Sequence, residues 1–300
     1  MLKRALTYSG HGSRIALGFI FLAAGLLKAL DVAEFAHQMA GYGLIGPGLS
    51  AIAAPLLIAV ETTLGVALVA GCKPRLAATG IALLLVFFIV LEGYGIATGR
   101  TESCGCFGAY AQRTPQQVIW EDVGFLALAA LSIAGLGGWE SGARRLAGGI
   151  VVAAALLSLG FAIASPRLPI DTLVTELRVG RAVADLKIDG YLPEEGQPAL
   201  VALLDVTDPL SKEAATGLNT LHATPGTPAV VGLTPSSEQE EAAFMWEAYP
   251  AFDLHAVDRP TLKRLYRRLP LYFTVRAGRV ERIFRDPRPP AADLLLSEAP

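Results

Sequence analysis

Two cysteines separated by a single glycine are the residues of this 300-residue sequence best suited to chemistry. They are Cys104 and Cys106, in the segment Cys104-Gly105-Cys106-Phe107-Gly108. Residues two apart have Cα atoms at most about 7 Å apart, and the glycine permits the unusual backbone angles of a small ring. The thiols can therefore close a tight disulfide, and strain makes such a bond easier to reduce. Because so short a loop removes little chain entropy, the bond is suited to oxidising a partner rather than to stabilising the fold.

Two other interpretations of the cysteine pair stay open at this stage. A structural zinc site needs about four Cys or His ligands, and the segment around Cys104 contains no histidine, so we predict no zinc site here. Cu(I) favours soft thiolates, and His37 in a different loop can approach the pair, so copper handling is one alternative. A chemically inert pair is the other.

Charged residues inside apolar stretches are costly in a membrane and are functional candidates by default. Gly25 precedes Lys28 by one turn and Gly65 follows Glu61 by one turn, and small residues at this spacing let helices pack closely. We therefore expect a buried Lys28–Glu61 pair. It is either a structural ion pair or, together with Asp122, part of proton and charge support for thiol chemistry. The four candidates of this kind are Lys28, Glu61, Glu92 and Asp122.

The residues that must position these groups lie in five apolar stretches. Each stretch has the roughly 17–25 residues that a membrane-spanning helix needs. Pro55 lies near the predicted start of the second stretch, where proline suits the first helical turn. The predicted spans are Arg14–Leu30, Ser50–Ala70, Leu76–Thr98, Val118–Leu136 and Leu146–Ser165.

The positions of Lys and Arg predict the orientation of these spans, because basic loops stay in the cytoplasm. Basic residues occur in the N-terminal leader and in the turns around Lys73 and Arg144. This pattern predicts a cytoplasmic N-terminus in the bacterial inner membrane. The loop with the cysteine pair and everything after Ser165 then face the periplasm, where disulfides persist.

The charge composition divides the chain into two parts. Residues 1–166 hold only 10 of the 25 Lys and Arg residues and 8 of the 27 Asp and Glu residues. Residues 167–300 hold the remaining charges and have the composition of a soluble domain. The net charge of −2 argues against a basic nucleic-acid binder. We predict no nucleic-acid partner.

The N-terminal spans resemble the methylamine utilisation protein MauE family, a relative of the DoxX-like membrane proteins. The resemblance covers roughly residues 10–138. It implies a four-helix membrane domain with a layout similar to membrane thiol oxidoreductases, and a role in disulfide formation carried by Cys104 and Cys106. The matching residues are Leu17, Gly18, Phe21, Gly25, Lys28, Phe35, Tyr42, Pro55, Glu61, Gly65, Cys104-Gly105-Cys106-Phe107-Gly108 and Asp122.

The C-terminal part alternates strand-like and helix-like segments, which predicts a largely parallel or mixed sheet. The order resembles a thioredoxin-like domain of the TlpA type, with Pro270 at the position of that fold's peptide-binding proline. Phe244 and Trp246 look like core residues. The predicted segments are strands 199–206, 229–233 and 252–257, helices 209–222, 238–246 and 261–268, and a hairpin of 271–275 with 280–284.

This domain departs from the resemblance at its most important position. Asp208-Pro209-Leu210-Ser211 stands where an active thioredoxin-like domain has its two cysteines, and no cysteine occurs after Cys106. A Ser or Asp at this place caps a helix rather than exchanging disulfides. We expect either a docking module that presents a partner through the surface beside Pro270, or a domain retained for stability.

The basic residues from Arg259 to Arg268 are predicted to form one solvated helix face, with contact to anionic lipid head groups as the alternative. The predicted domains are residues 1–143, a MauE-like bundle; 144–166, a fifth span and linker; 167–290, the thioredoxin-like domain; and 291–300, a loose tail.

Together these features predict a membrane all-α four-helix bundle plus a fifth transmembrane helix, followed by an α/β thioredoxin-like domain. The predicted function is thiol-disulfide redox or maturation of a periplasmic partner protein. A quinone or another carrier would receive the electrons. The alternatives are a non-catalytic assembly scaffold and a copper-handling membrane protein.

Overall fold

A computed structural model of the chain describes residues 2–100, 114–135, 144–193 and 197–296. It contains two compact units, Met1–Ile170 and Asp171–Pro300. Each unit has a hydrophobic core of its own.

The described residues of the first unit form six α-helices. Proline opens α3, α4 and α5, as expected at a first helical position, where no backbone N–H is needed. Left-handed glycines, Gly71 and Gly99, end α3 and α4. The helices are α1 (Leu2–Leu30), α2 (Val32–Gly41), α3 (Pro47–Ala70), α4 (Pro74–Thr98), α5 (Pro115–Gly135) and α6 (Arg144–Ala164).

Five of these helices are long and apolar enough to cross a membrane, which confirms the predicted number of candidate spans. The apolar segments are Thr7–Leu30, Pro47–Ala70, Pro74–Thr98, Pro115–Gly135 and Leu146–Arg167. In the packed bundle α1 lies against α3 and α5, α4 against α5, and α6 against α3. Leu17, Leu68, Ile81 and Leu85 form the centre of the core.

Three details of this unit differ from the predictions. The helix of the first span begins at Leu2 rather than Arg14. The predicted outer loop after it contains a helix, α2, whose Asp31 cap accepts a hydrogen bond from the Glu34 backbone N–H. Because α3 begins at Pro47, Pro55 lies inside the helix and not in its first turn.

The second unit is built on a five-stranded mixed sheet in the order β3-β2-β1-β4-β5. Strand β1 pairs in parallel with β2, β2 in parallel with β3, and β1 antiparallel with β4. All five residues of β1 are buried, as expected for a central strand covered on both faces. The strands are β1 (Ala199–Leu203), β2 (Ala229–Thr234), β3 (Asp253–Ala256), β4 (Leu271–Arg276) and β5 (Arg279–Phe284).

Ala277 and Gly278 join β4 and β5 in a tight hairpin, as predicted. Both have positive φ, 47° and 71°, which is the geometry of the two-residue turns that suit twisted strands. The helices of this unit are α7 (Asp171–Val174), α8 (Pro209–Ala223), α9 (Glu238–Ala248), α10 (Arg259–Lys263) and α11 (Ala292–Leu296).

Several expectations for the second unit are wrong. Trp246 is 76% exposed, whereas Phe244 is buried as expected. The helix predicted over 261–268 ends at Lys263. The C-terminal stretch is not loose where it is described, since α11 places Leu295 in the core against Leu218 and Tyr272.

The basic residues after Arg259 do not form a solvated face. Arg264 makes a two-pronged ion pair with Glu176. Arg267 is buried, with Asp171 3.6 Å away. Because α10 ends at Lys263, Arg264 and Arg267 lie beyond the helix and do not share a helical face with Arg259.

Candidate functional site

An ion pair joins α1 and α3 in the interior of the first unit. Lys28 Nζ donates to both carboxylate oxygens of Glu61, at 2.6 and 2.7 Å. The side chains are only 3% and 1% exposed. The structure thus contains the ion pair that the glycine spacing predicts, and both side chains are almost completely removed from solvent.

The two helices approach closely enough for this pair because small residues line their contact. A Cβ atom at Gly25 would lie 2.4 Å from the Thr62 hydroxyl oxygen. A Cβ atom at Gly65 would lie 2.8 Å from the carbonyl oxygen of Gly18. Any side chain at these positions would push α1 and α3 apart.

Aromatic rings surround the Lys28 ammonium on its other sides. The ring centroids of Phe35 and Phe88 lie 5.1 and 5.3 Å from Nζ, within the range of cation–π attraction. Phe35 comes from α2 and Phe88 from α4. The ammonium is therefore held by one carboxylate and by the faces of two rings.

Glu92 of α4 is the second buried acid near this centre. It is 2% exposed. The hydroxyl of Tyr42, just after α2, donates to its Oε1. Its Oε2 is buried without a hydrogen-bond partner among the described residues.

Asp122 of α5 completes the group of four candidates. Lys28, Glu61 and Asp122 line one small cavity of about 20 Å³. Asp122 is 4% exposed, and its Oδ2 has no hydrogen-bond partner in the described part of the chain. Glu61 is thus paired with Lys28, Asp122 shares the small cavity with both, and Glu92 is a further buried acid of α4.

A larger cavity of about 250 Å³ lies on the other side of Lys28. It is bounded by α1, α2, α3 and α4, and its walls are predominantly apolar. Sequence reasoning missed this cavity and the part that Tyr42 and Gln38 have in it. The sequence feature that indicates it is the spacing of Phe35, Gln38, Met39 and Tyr42, which lie at three- and four-residue intervals and share one helical face.

Cys104 and Cys106 lie outside the described residues, so their relation to this centre stays a prediction. Cys72, at the end of α3, is a free and partly exposed thiol. Among the described residues no group of three or more His, Cys, Asp and Glu side chains is arranged to hold a metal ion.

In the second unit, Asp208 and Ser211 stabilise the start of α8. The Asp208 carboxylate accepts a hydrogen bond from the Leu210 backbone N–H at 2.9 Å. Ser211 is fully buried, and its hydroxyl oxygen accepts from the Asp205 backbone N–H at 3.1 Å. The Asp208 contact is that of a helix cap, as expected, whereas Ser211 lies inside α8 and ties the helix to the loop that follows β1.

Pro270 follows a cis peptide bond and precedes β4. It lines a cavity of only about 40 Å³ together with charged side chains that include Asp171, Arg267 and Arg285. Two residues later, the Tyr272 hydroxyl donates to the Pro287 carbonyl. Burial, with a smaller contribution from Asp286, raises the pKa of this hydroxyl above its ordinary value.

Comparison with known proteins gives a match in the membrane unit. Residues 6–135 match the family model described as "Methylamine utilisation protein MauE". A methylamine utilization protein MauE from Paracoccus denitrificans is 34% identical over 95 residues, which cover 31% of this chain and 51% of that relative. The chain thus spans about half the length of this curated relative. No solved structure is significantly similar to the chain.

The matched segment contains Lys28, Glu61, Glu92 and Asp122 as well as the Cys104/Cys106 pair. Its helices α1, α3, α4 and α5 contain four of the five candidate spans, which fit a multi-pass membrane protein lying in a lipid bilayer. Over residues 6–135 the chain is therefore similar to the MauE family of membrane proteins.

Proposed function

We propose that the protein is a membrane thiol-disulfide redox or maturation factor, which uses Cys104 and Cys106 to assist disulfide formation in a periplasmic partner protein. The observation that carries the proposal is a buried centre of three carboxyl groups and one ammonium in the same segment as a Cys-Gly-Cys pair. Ionisable groups inside spans are costly and mark functional sites. The similarity to the MauE family over residues 6–135 supports the same assignment.

The reaction is a disulfide exchange. A thiolate of the partner attacks one sulfur of the Cys104–Cys106 disulfide and forms a mixed disulfide. The second thiolate of the partner then attacks the partner's own sulfur in the mixed disulfide and displaces the sulfur of the cysteine pair. The partner leaves with a new disulfide, and Cys104 and Cys106 are left as two thiols.

Reoxidation of the pair closes the cycle. The two thiols lose two electrons and two protons, which a membrane quinone accepts to become a quinol. The buried centre supplies groups for the proton part of this step. Lys28 pairs with Glu61, and Asp122 lines the same small cavity, so these three residues are the proposed charge support for the thiol chemistry.

In this proposal the N-terminus lies in the cytoplasm, and the cysteine loop and the second unit lie in the periplasm; the distribution of basic residues supports this orientation. A reporter enzyme that is active only in the periplasm should be active when it is fused to the C-terminus. Activity of a cytoplasm-specific reporter at the C-terminus would contradict this orientation.

The second unit acts in this proposal as a thioredoxin-like docking module without thiols. Three parallel strands followed by an antiparallel hairpin, in the order β3-β2-β1-β4-β5, support that fold. Removing residues 171–300 should slow oxidation of the partner while leaving the redox behaviour of the cysteine pair unchanged. Unchanged partner oxidation would favour a domain retained for stability.

The redox assignment is tested on the purified full chain carrying Cys72→Ser, so that only Cys104 and Cys106 react. The protein is equilibrated in glutathione buffers of graded potential and alkylated, and the mass of the cysteine peptide is measured. We expect a reversible two-electron transition at a potential above the roughly −300 mV typical of structural disulfides. If the two thiols never form a disulfide, a non-catalytic scaffold is favoured. If copper co-purifies with the chain and is lost when Cys104 and Cys106 are mutated, metal handling is favoured.

A further inference from the structure

A small cavity of the second unit is lined mainly by basic side chains. Its volume is about 40 Å³, and Pro270 lies in its wall. Among the described residues, its charged lining consists of Arg267, Arg268, Arg285 and Asp171. The second unit as a whole contains more acidic than basic residues. This site, which we call the arginine cavity, therefore has the opposite sign of charge from the unit that contains it.

Asp171 is the acid that lines the described part of the arginine cavity, and it is shared between two guanidinium groups. Its Oδ1 lies 3.6 Å from Arg267 Nη1, and its Oδ2 lies 3.5 Å from Arg285 Nε. Both distances exceed the roughly 2.7–3.2 Å of a direct N–H···O hydrogen bond. A second carboxylate that enters the cavity can therefore compete with Asp171 for these donors.

The wall of the cavity combines one fixed cation with two accessible ones. Arg267 is only 5% exposed, whereas Arg268 and Arg285 are exposed. The buried Leu177 and Leu265 also line the cavity. Apolar surroundings lower the local dielectric constant, so an anion that enters is attracted to a guanidinium group more strongly than it is in water.

The size of the cavity distinguishes between small anions. A water molecule needs about 10–15 Å³ of such space, so a cavity of about 40 Å³ accommodates about three atoms of that size. A carboxylate group has three heavy atoms, and a phosphate group has five. Guanidinium groups bind carboxylates through two parallel hydrogen bonds. The cavity therefore fits a carboxylate better than a phosphate.

We propose that the arginine cavity binds the side-chain carboxylate of an Asp or Glu residue in the partner protein. Arg268 and Arg285 donate to this carboxylate, and Arg267 supplies the fixed positive charge in the wall. The acidic segment of the partner then lies beside Pro270. The docking role of this contact rests on the proposed function, whereas the binding of a carboxylate does not.

The test uses the purified full chain in phosphatidylcholine nanodiscs, which have no net surface charge, and a short Gly/Ser peptide with one central Glu. The peptide is acetylated, amidated and biotinylated through an amide, so that the Glu carboxylate is its one charge. A benzophenone side chain beside the Glu captures weak complexes on irradiation. The comparison peptide has Gln in place of Glu.

We expect saturable capture of the Glu peptide and at least tenfold weaker capture of the Gln peptide, because the charge-assisted hydrogen bonds are lost. The cross-links should lie in segments 264–271 or 284–288. Acetate should displace the Glu peptide at lower concentrations than inorganic phosphate does. Equal capture of the two peptides, cross-links confined to other segments, or stronger displacement by phosphate would overturn the proposal.

Two substitutions test the accessible donors. Arg268→Gln and Arg285→Gln should each weaken capture of the Glu peptide about fivefold, the upper end for an exposed ion pair. The matched control is Arg288→Gln, since Arg288 is exposed and is not among the residues that line the cavity. Its capture should equal that of the original chain. Equal losses in all three variants would point to non-specific attraction and overturn the site.

Asp171→Asn should act in the opposite direction. It removes the carboxylate that competes for Arg267 and Arg285, so capture of the Glu peptide should become about fivefold tighter. Loss of folding cannot produce such a gain. Weaker capture by a variant with unchanged circular dichroism would overturn the proposal. If this variant does not fold, Arg268→Gln decides the question, because Arg268 is exposed.

The same titration in a chain with Cys104→Ser and Cys106→Ser separates the two proposals. Capture of the Glu peptide should be unchanged in this chain, because the arginine cavity contains neither residue. Capture by a chain whose thiols prove inert would leave the carboxylate site in place while the redox assignment fails. A redox-active chain that does not distinguish Glu from Gln would have the reverse meaning.

Discussion

The Lys28–Glu61 pair allows a quantitative test of the buried centre. Both side chains are almost fully buried, and the ammonium makes two short hydrogen bonds to one carboxylate. Lys28→Met keeps the length of the side chain but leaves Glu61 without its cation. Removing one partner of a buried ion pair costs about 3–5 kcal/mol, which is two to more than three powers of ten in the unfolding equilibrium.

The double variant Lys28→Met with Glu61→Met gives the opposite expectation. Replacing both partners by apolar side chains of similar volume removes the isolated charge, and such replacements are often neutral or stabilising. We therefore expect the double variant to recover most of the lost free energy of unfolding. The recovery measures the coupling between the two residues.

The assay is unfolding of the purified full chain in mixed micelles with increasing sodium dodecyl sulfate, followed by the loss of helical circular dichroism. Lys73→Met is the matched control, because Lys73 is exposed. Its midpoint should not move. A Lys28→Met midpoint equal to that of the original chain, or a double variant as unstable as the single one, would refute the buried-pair reasoning.

Five further substitutions, two of them controls, test the packing and one buried hydrogen bond. Gly65→Ala should lower the free energy of unfolding by about 1–3 kcal/mol in the same assay, because the new Cβ atom would meet backbone atoms of α1. The control Gly93→Ala should not lower it, because a Cβ atom there meets nothing within 4 Å. Phe244→Ala should cost about 3–5 kcal/mol in the second unit, while Trp246→Ala should change its thermal midpoint little because the indole is exposed. Tyr272→Phe should cost about 1 kcal/mol at neutral pH. Since burial raises the pKa of this hydroxyl, folding opposes its ionisation, and the original chain should lose stability above about pH 10 more steeply than the variant.

The main elements of the membrane unit follow from the sequence because hydrocarbon thickness imposes a length on every span. The Lys28–Glu61 pair was predictable for a related reason. An isolated charge in an apolar span needs a partner, and glycines one turn away from each residue indicate where two helices can meet. Glu92 and Asp122 were recognisable as candidates by the same rule, but their distances from Lys28 depend on how four helices pack.

The features that the sequence does not predict depend on contacts between distant segments. Helix α2 is short and lies in a stretch that reads as a loop, so the cavity that Phe35 and Tyr42 complete could not be anticipated. In the second unit, Phe244 and Trp246 are two residues apart on α9, so they cannot face the same way. Only the packing of α9 decides that Phe244 is buried and Trp246 exposed. Likewise, Arg267 is buried beside Asp171, a residue 96 positions earlier in the chain.

The redox state of the cysteine pair in its native membrane tests the central proposal most directly. Intact membranes containing the Cys72→Ser chain are reduced, freed of reductant and alkylated at intervals, and the mass of the peptide with Cys104 and Cys106 is measured. We expect two alkylated thiols at first and a disulfide that returns with time, faster when a quinone is added. Two thiols that stay alkylatable at every interval, with or without quinone, would contradict a thiol-disulfide function.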